Sequence, residues 1–146
     1  MAGNARKAGQ RIVFTNGVFD LLHPGHVRFL QAAAREGDLL IVGINSDTSA
    51  HSIKGATRPV VTESERAEVL LALDCVDAVI IFNENKPNLI IREIVPDVLV
   101  KGADWPADQI VGRDTVESAG GRVVRVSVET GYSTTALIER IKRVAR

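Results

Sequence analysis

Two histidines three residues apart, His23 and His26, bracket Pro24-Gly25 in the segment TNGVFDLLHPGH, which runs from Thr15 to His26. An apolar run precedes this segment and a helical pattern follows it, so the pair falls at a strand-to-helix junction. Gly25 has no Cβ and lets a bulky anion approach the backbone. A helix starting here aims its free amides and the positive end of its dipole back at the junction. Two imidazoles beside a helix start form a compact donor cluster for phosphate oxygens. A single histidine on an apolar face is usually a satisfied core residue, but two around a glycine at such a junction are hard to explain by packing. Zinc chemistry fits poorly, because no cysteine and few carboxylates stand at ligand spacing.

A second anion seat lies late in the chain. Ser133-Thr134-Thr135 opens the last amphipathic stretch, with Ser133 as a natural N-cap and free amides behind it. Alone, such a triplet is only a cap; its interest comes from a partner motif of the same chemistry.

The elements that must hold these motifs follow from periodicity. Strands are predicted at Ile12–Phe14, Leu39–Ile44, Val76–Phe82, Val98–Val100 and Val123–Val128. Helices are predicted at His26–Arg35, from the capping box Thr62-Glu63-Ser64-Glu65 to about Leu73, and at Pro87–Ile94, Ala107–Ala119 and Ser133–Val144. Residues 1–10 read as a loose lead-in to a domain over 11–146. Strands alternating with helices, and runs such as LLIVGI that are apolar at every position, predict a five-stranded parallel sheet covered on both faces. The fold class is α/β, Rossmann-like and doubly wound. Ligands in such sheets sit beyond the carboxyl ends of the strands, which singles out Thr15–Gly17, Asn45–Asp47, Lys101–Asp104 and Glu129–Gly131.

Composition narrows the partners. Eighteen basic against eighteen acidic residues leave no basic surplus for sequence-blind nucleic-acid binding. Aromatics at 4% are too few for base-stacking platforms. One cysteine, Cys75, excludes a disulfide framework and reads as packing. No apolar run is long enough to span a bilayer, and the first residues lack a signal-peptide core, so a cytoplasmic setting is expected. His51 and the basic run Arg140, Lys142, Arg143 and Arg146 read as solvated surface, Arg66 as half of a structural ion pair.

GVFDLLHPGH resembles the signature of the nucleotidyltransferase superfamily that includes cytidylyltransferases, and Ser133-Thr134-Thr135 resembles its second element. Three further stretches are similar to heptose 1-phosphate adenylyltransferases of the ADP-heptose pathway. They are NSD (Asn45–Asp47) with Ile53-Lys54-Gly55 and Arg58-Pro59-Val60; VDAVIIF (Val76–Phe82) with Glu84 and Pro87; and PDVLVKGADW (Pro96–Trp105). The similarity runs from about Arg11 to Lys142. Trp105 stands where that family commonly has tyrosine, and Tyr132 where it commonly has a smaller residue.

The resemblance implies transfer of an adenylyl group from ATP to a sugar 1-phosphate, with Mg²⁺ bridging the β and γ phosphates and no protein nucleophile. About four negative charges on ATP meet about two on the sugar phosphate, so cations must intervene; His23, His26, Lys54, Arg58 and Lys101 are the expected ones. His23, His26 and Lys54 are expected to be catalytic. The ATP contacts would come from Asn16, Gly17, Val18, Phe19, His23, Gly25 and His26, from Lys101, Gly102 and Asp104, and from Thr130, Ser133, Thr134 and Thr135. The sugar phosphate would be held by Asn45, Asp47, Lys54, Arg58 and Lys101. Asp104 is a candidate for Mg²⁺ or the sugar, no dedicated metal site is expected, and Asp20 is expected to hold the histidine loop. Paired subunits are implied, with no nucleic-acid or membrane partner. In many bacteria the activity is half of a bifunctional protein that also carries a sugar kinase, for which 146 residues leave no room, so a stand-alone form is expected. The alternatives are a cytidylyltransferase acting on glycerol 3-phosphate or another phospho-alcohol, and a silent nucleotide-sensing module. A dinucleotide binder is set aside, since no GxGxxG follows the first strand.

Overall fold

Residues 39–45 (LLIVGIN) are too few for a stable helix and apolar on both sides, so they are stable only as a strand covered from above and below; all but Leu39 are buried. In the computed structural model, which describes residues 2–128 and 131–145, this strand is β2 of a five-stranded parallel sheet. The elements run α1 (Ala2–Lys7), β1 (Ile12–Gly17), α2 (Pro24–Ala34), β2 (Leu39–Asn45), α3 (Asp47–Lys54), α4 (Glu63–Leu71), β3 (Ala78–Phe82), α5 (Asn88–Ile94), β4 (Val98–Gly102), α6 (Arg113–Ser118), β5 (Arg122–Val126) and α7 (Thr134–Val144). The strand order is β3-β2-β1-β4-β5, all neighbours parallel.

Alternating side chains feed two cores. Val13, Leu40, Val42 and Val100 meet Leu30 of α2 and Leu70 of α4 on one face. Ile12, Phe14, Ile41 and Leu99 meet Ile91 of α5 and Val116 of α6 on the other. The packing is tight enough to dictate a glycine: a Cβ on Gly43 would stand 2.7 Å from the Phe14 ring. Among the described residues no helix is long and apolar enough to cross a membrane.

Four local expectations are corrected. Residues 1–10 are not a loose lead-in: α1 buries Ala5, and the Arg6 guanidinium donates to the carbonyls of Ile94 and Val95. Residues 47–54, for which no helix is predicted, form α3, whose Ser46 cap accepts from the Ser49 amide. The helix expected over Ala107–Ala119 is split into a 3₁₀ turn at Ala107–Gln109 and α6, with Gly112 between them at φ 90°. β5 stops at Val126.

Candidate active site

The sheet opens where its strand order reverses. β1 pairs with β2 from Ile12↔Leu39 to Gly17↔Ile44, but its ladder with β4 stops at Phe14↔Leu99. The Thr15 hydroxyl donates to the Val100 carbonyl at 2.9 Å and closes the seam just below the split. Beyond it lies a cavity of about 390 Å³, floored by Gly17 and Gly102 and walled by the start of α2 on one side and the start of α7 on the other. This is the switch-point crevice where open α/β sheets bind ligands.

Asp20 organises the first wall. Its fully buried carboxylate accepts from Arg58 Nε at 2.8 Å and from the Val60 and Val61 amides at 2.9 Å. Burial pushes the Asp20 pKa up, but these amides and the Arg58 guanidinium outweigh it and hold the group below its ordinary value. Arg66, also buried, donates to the carbonyls of Val18 (2.7 Å) and Val61 (3.0 Å) and pairs with Asp47 at 2.9 Å. Loops 18–20 and 58–61 are thus laced together, and the lacing holds Phe19 at φ 49°, a conformation a phenylalanine rarely adopts.

His23 caps α2: its Nδ1 accepts from the His26 amide at 3.3 Å. The imidazoles of His23 and His26 stack with centroids 3.8 Å apart; Phe19 lies 5.3 Å from His26 and Tyr132 lies 6.0 Å from His23. Burial, with His23 alongside, pushes the His26 pKa down to about 4, against a smaller upward pull from a backbone hydrogen bond at Leu21; burial also lowers His23. Burial thus disfavours the charged form of both rings in the free protein. Basic side chains in the cavity are Lys54, at the end of α3, and Arg58, whose guanidinium is already paired with Asp20. Among the described residues, the buried side-chain polar atoms without a hydrogen-bond partner are Asn16 Oδ1 and His26 Nδ1, both in the segment from β1 into α2. Buried unpaired polar atoms are costly, and of these two residues His26 lines the cavity.

The second wall is lighter. Ser133 Oγ accepts from the Ala136 amide at 2.9 Å and caps α7. Thr134 Oγ1 donates to the Leu21 carbonyl at 3.3 Å, which ties the two motifs directly.

Of the expected site residues, Gly17, Val18, Phe19, His23, Gly25, His26, Lys54, Arg58, Gly102, Asp104, Ser133, Thr134 and Thr135 line this one cavity. Asn16 and Lys101 stand off it. Gly102 lines the cavity and Lys101 does not, though the Lys101 Nζ lies 5.7 Å from the ring centroid of Trp105, which does. Burial lowers the Lys101 pKa to about 8, with Asp104 pulling it back up. Asn45 and Asp47 also lie outside the cavity: Asn45 Nδ2 donates to Ser49 Oγ, and Asp47 is held by Arg66. Thr130 lies outside the described residues. Gly25 has a second reason for its size, because a Cβ there would meet the His23 ring and the Tyr132 Cβ at 2.9 Å. The lining also includes Phe29, Trp105, Val128 and Tyr132, none of them expected as site residues; the sequence signal for Trp105 and Tyr132 was their departure from the family pattern.

The sheet order, the paired histidines at the α2 start and the capped triplet at the α7 start define a nucleotidyltransferase-type site, and residues 14–140 match the cytidylyltransferase-like family model. The chain belongs to that family. It is 55% identical over 134 residues to the bifunctional protein HldE of Geotalea uraniireducens, covering 92% of this chain and 27% of that protein. It is 56% identical over 130 residues to the HldE of Gluconobacter oxydans, covering 89% and 27%. The chain thus spans about a quarter of the length of these relatives. Among solved structures, a lipopolysaccharide core biosynthesis protein from Thermoplasma volcanium superposes with a TM-score of 0.71 at 28% identity, over 83% of this chain and 99% of that one.

Proposed function

We propose that this chain transfers an adenylyl group from ATP to D-glycero-β-D-manno-heptose 1-phosphate, giving ADP-heptose and pyrophosphate for surface-glycan synthesis. The observation that carries the reading is the convergence of His23 and His26 with Ser133–Thr135 on one crevice, joined by the Thr134–Leu21 hydrogen bond. The 50–56% identity to bifunctional HldE proteins and the likeness to a lipopolysaccharide core biosynthesis protein support the choice of acceptor.

The chemistry follows from the residues. A sugar-phosphate oxygen attacks the α-phosphorus, the bond to the β-phosphate oxygen breaks, and pyrophosphate departs in line. Catalysis is then positioning plus stabilisation of spreading negative charge. His23, with Nδ1 engaged as the cap, carries its proton on Nε2 and donates to a phosphate oxygen. An arriving triphosphate favours protonation of His26, since a nearby opposite charge raises its pKa, whereas His23 stays neutral and keeps Nδ1 as the cap. The free amides of α7 receive phosphate oxygens, and Lys54 and Arg58 offset the acceptor's charge.

The acids lining the crevice are Asp20, already engaged, and Asp104, and the described residues form no cluster of three or more ligands for a metal. That donor set fits a Mg²⁺ ion that enters with the nucleotide, for which Asp104 would be the protein ligand. The ion would neutralise charge on the β and γ phosphates. A homodimer and a cytoplasmic setting belong to the same reading, and sedimentation of the purified chain tests the first.

The test is a panel of four nucleoside triphosphates against heptose 1-phosphate, glucose 1-phosphate and glycerol 3-phosphate, with product mass read directly. ADP-heptose as the dominant product is expected. A preference for CTP with glycerol 3-phosphate, or nucleotide binding without any product, overturns the reading.

A further inference from the structure

Tyr132 is out of keeping with its surroundings. It is a large, half-exposed side chain at the edge of a phosphate-type site, two residues before the hydroxyl pair Thr134-Thr135. Its ring lies nearly parallel to His23, at 16° and 6.0 Å between centroids, and His23 is itself stacked on His26 at 19° and 3.8 Å. The Arg28 guanidinium carbon is 5.5 Å from the Tyr132 centroid. Gly25 leaves no side chain between Tyr132 and the histidine: the position of a Cβ there would be 2.9 Å from both His23 Cε1 and Tyr132 Cβ. The tyrosine, glycine and imidazole therefore fit as a unit.

What the unit accomplishes follows from the cap. A neutral imidazole has one proton and two nitrogens, and the partner of one fixes the role of the other. His23 Nδ1 accepts from the His26 amide, so the proton belongs on Nε2. At 3.3 Å that bond is long, and a rotation about the ring's own axis would lose it. Stacking against His26 and Tyr132 restricts such rotation, and offset aromatic pairs at these separations are attractive in their own right. Resting on the proposed phosphate-transfer reading of the site, we propose that Tyr132 is a positioning residue: it holds the His23 ring in the orientation in which Nδ1 caps α2 and Nε2–H faces the reacting phosphates. The aromatic ring, not the hydroxyl, carries the role.

The experiment compares Tyr132→Phe and Tyr132→Ala with the parent chain by imidazole nitrogen NMR of the free protein and by steady-state kinetics with ATP and heptose 1-phosphate. Tyr132→Phe is expected to retain the parent's Nε2–H tautomer at His23 and its turnover. Tyr132→Ala is expected to give a mixture of tautomers and a kcat lower by ~10- to 100-fold, the scale of a misplaced catalytic group, with a smaller change in KM for ATP. Tautomer and turnover unchanged in Tyr132→Ala overturn the proposal, as does a Tyr132→Phe variant as impaired as the alanine. The NMR arm needs no substrate. A chain that makes no ADP-heptose yet loses the tautomer in Tyr132→Ala refutes the proposed reaction and leaves the ring's effect on His23 standing.

Discussion

Two helices begin at the crevice, and they are built differently. α2 is anchored: Leu30 and Ala33 are fully buried, the loop before it is clamped through Asp20 and Arg66, and its cap is an imidazole within an aromatic stack. α7 buries no residue at all, and its start is held by a serine cap and the Thr134–Leu21 bond. A hydroxyl cap only satisfies its helix, whereas an imidazole cap satisfies the helix with one nitrogen and presents a donor with the other. The stiff wall suits chemistry, which depends on fixed geometry. The lighter wall suits admission and release of a ligand, since few buried contacts mean cheap local opening.

Removing the donors of the stiff wall is the sharpest way to break that contrast. His23→Ala and His26→Ala are each expected to lower kcat/KM by ~100- to 1000-fold, with unchanged far-UV circular dichroism. Near-normal rates in His26→Ala would remove it from the catalytic role. Next in size, Asp20→Ala leaves the Arg58 guanidinium and two amides without their acceptor and is expected to cost about 3 kcal/mol in urea unfolding, alongside lost activity. A loss under about 1 kcal/mol would mean that the clamp contributes little.

The clamp and the histidines also separate by pH. His26 titrates at about 4 in the folded chain, below its ordinary value, so the unfolded chain takes up the proton first. Stability is then lost as pH falls from about 6.5 towards 4. Asp20 is also depressed, and its contribution is lost below the ordinary carboxylate pKa, under about pH 4. Urea midpoints followed downward from pH 7 are expected to fall through both windows, with His26→Gln flattening the upper and Asp20→Asn the lower. On the lighter wall the effects are smaller. Ser133→Ala is expected to cost about 1 kcal/mol of α7 stability, read as faster amide exchange there, and Thr134→Val about 0.5–1.5 kcal/mol.

The strands were legible because β2 up to Ile44 and the first three residues of β1 and β4 are apolar, and the two motifs were legible because a histidine pair around a glycine at a strand-to-helix junction is hard to explain by packing and gives the hydroxyl cap a partner. α3 was not. DTSAHSIK has no apolar stripe and buries only Ser49 and Ala50; Ser49 Oγ, accepting from Asn45 Nδ2 and donating to the Glu84 carbonyl, holds it instead. Arg66 was read as an ion pair and is one, yet its grip on the Val18 carbonyl joins residues 48 apart in sequence, which no periodicity encodes. Lys101 was placed in the site because it follows a strand; the residue of the β4 end that lines the cavity is its neighbour Gly102.

Leu21 and Thr134 are separated by 113 residues. A ribosome delivers the first wall of the crevice long before the second, and chains emerge slowly compared with the folding of a small α/β unit. A half-made molecule therefore exposes the imidazoles of α2 with no opposing wall, and the crevice is complete only once α7 has emerged.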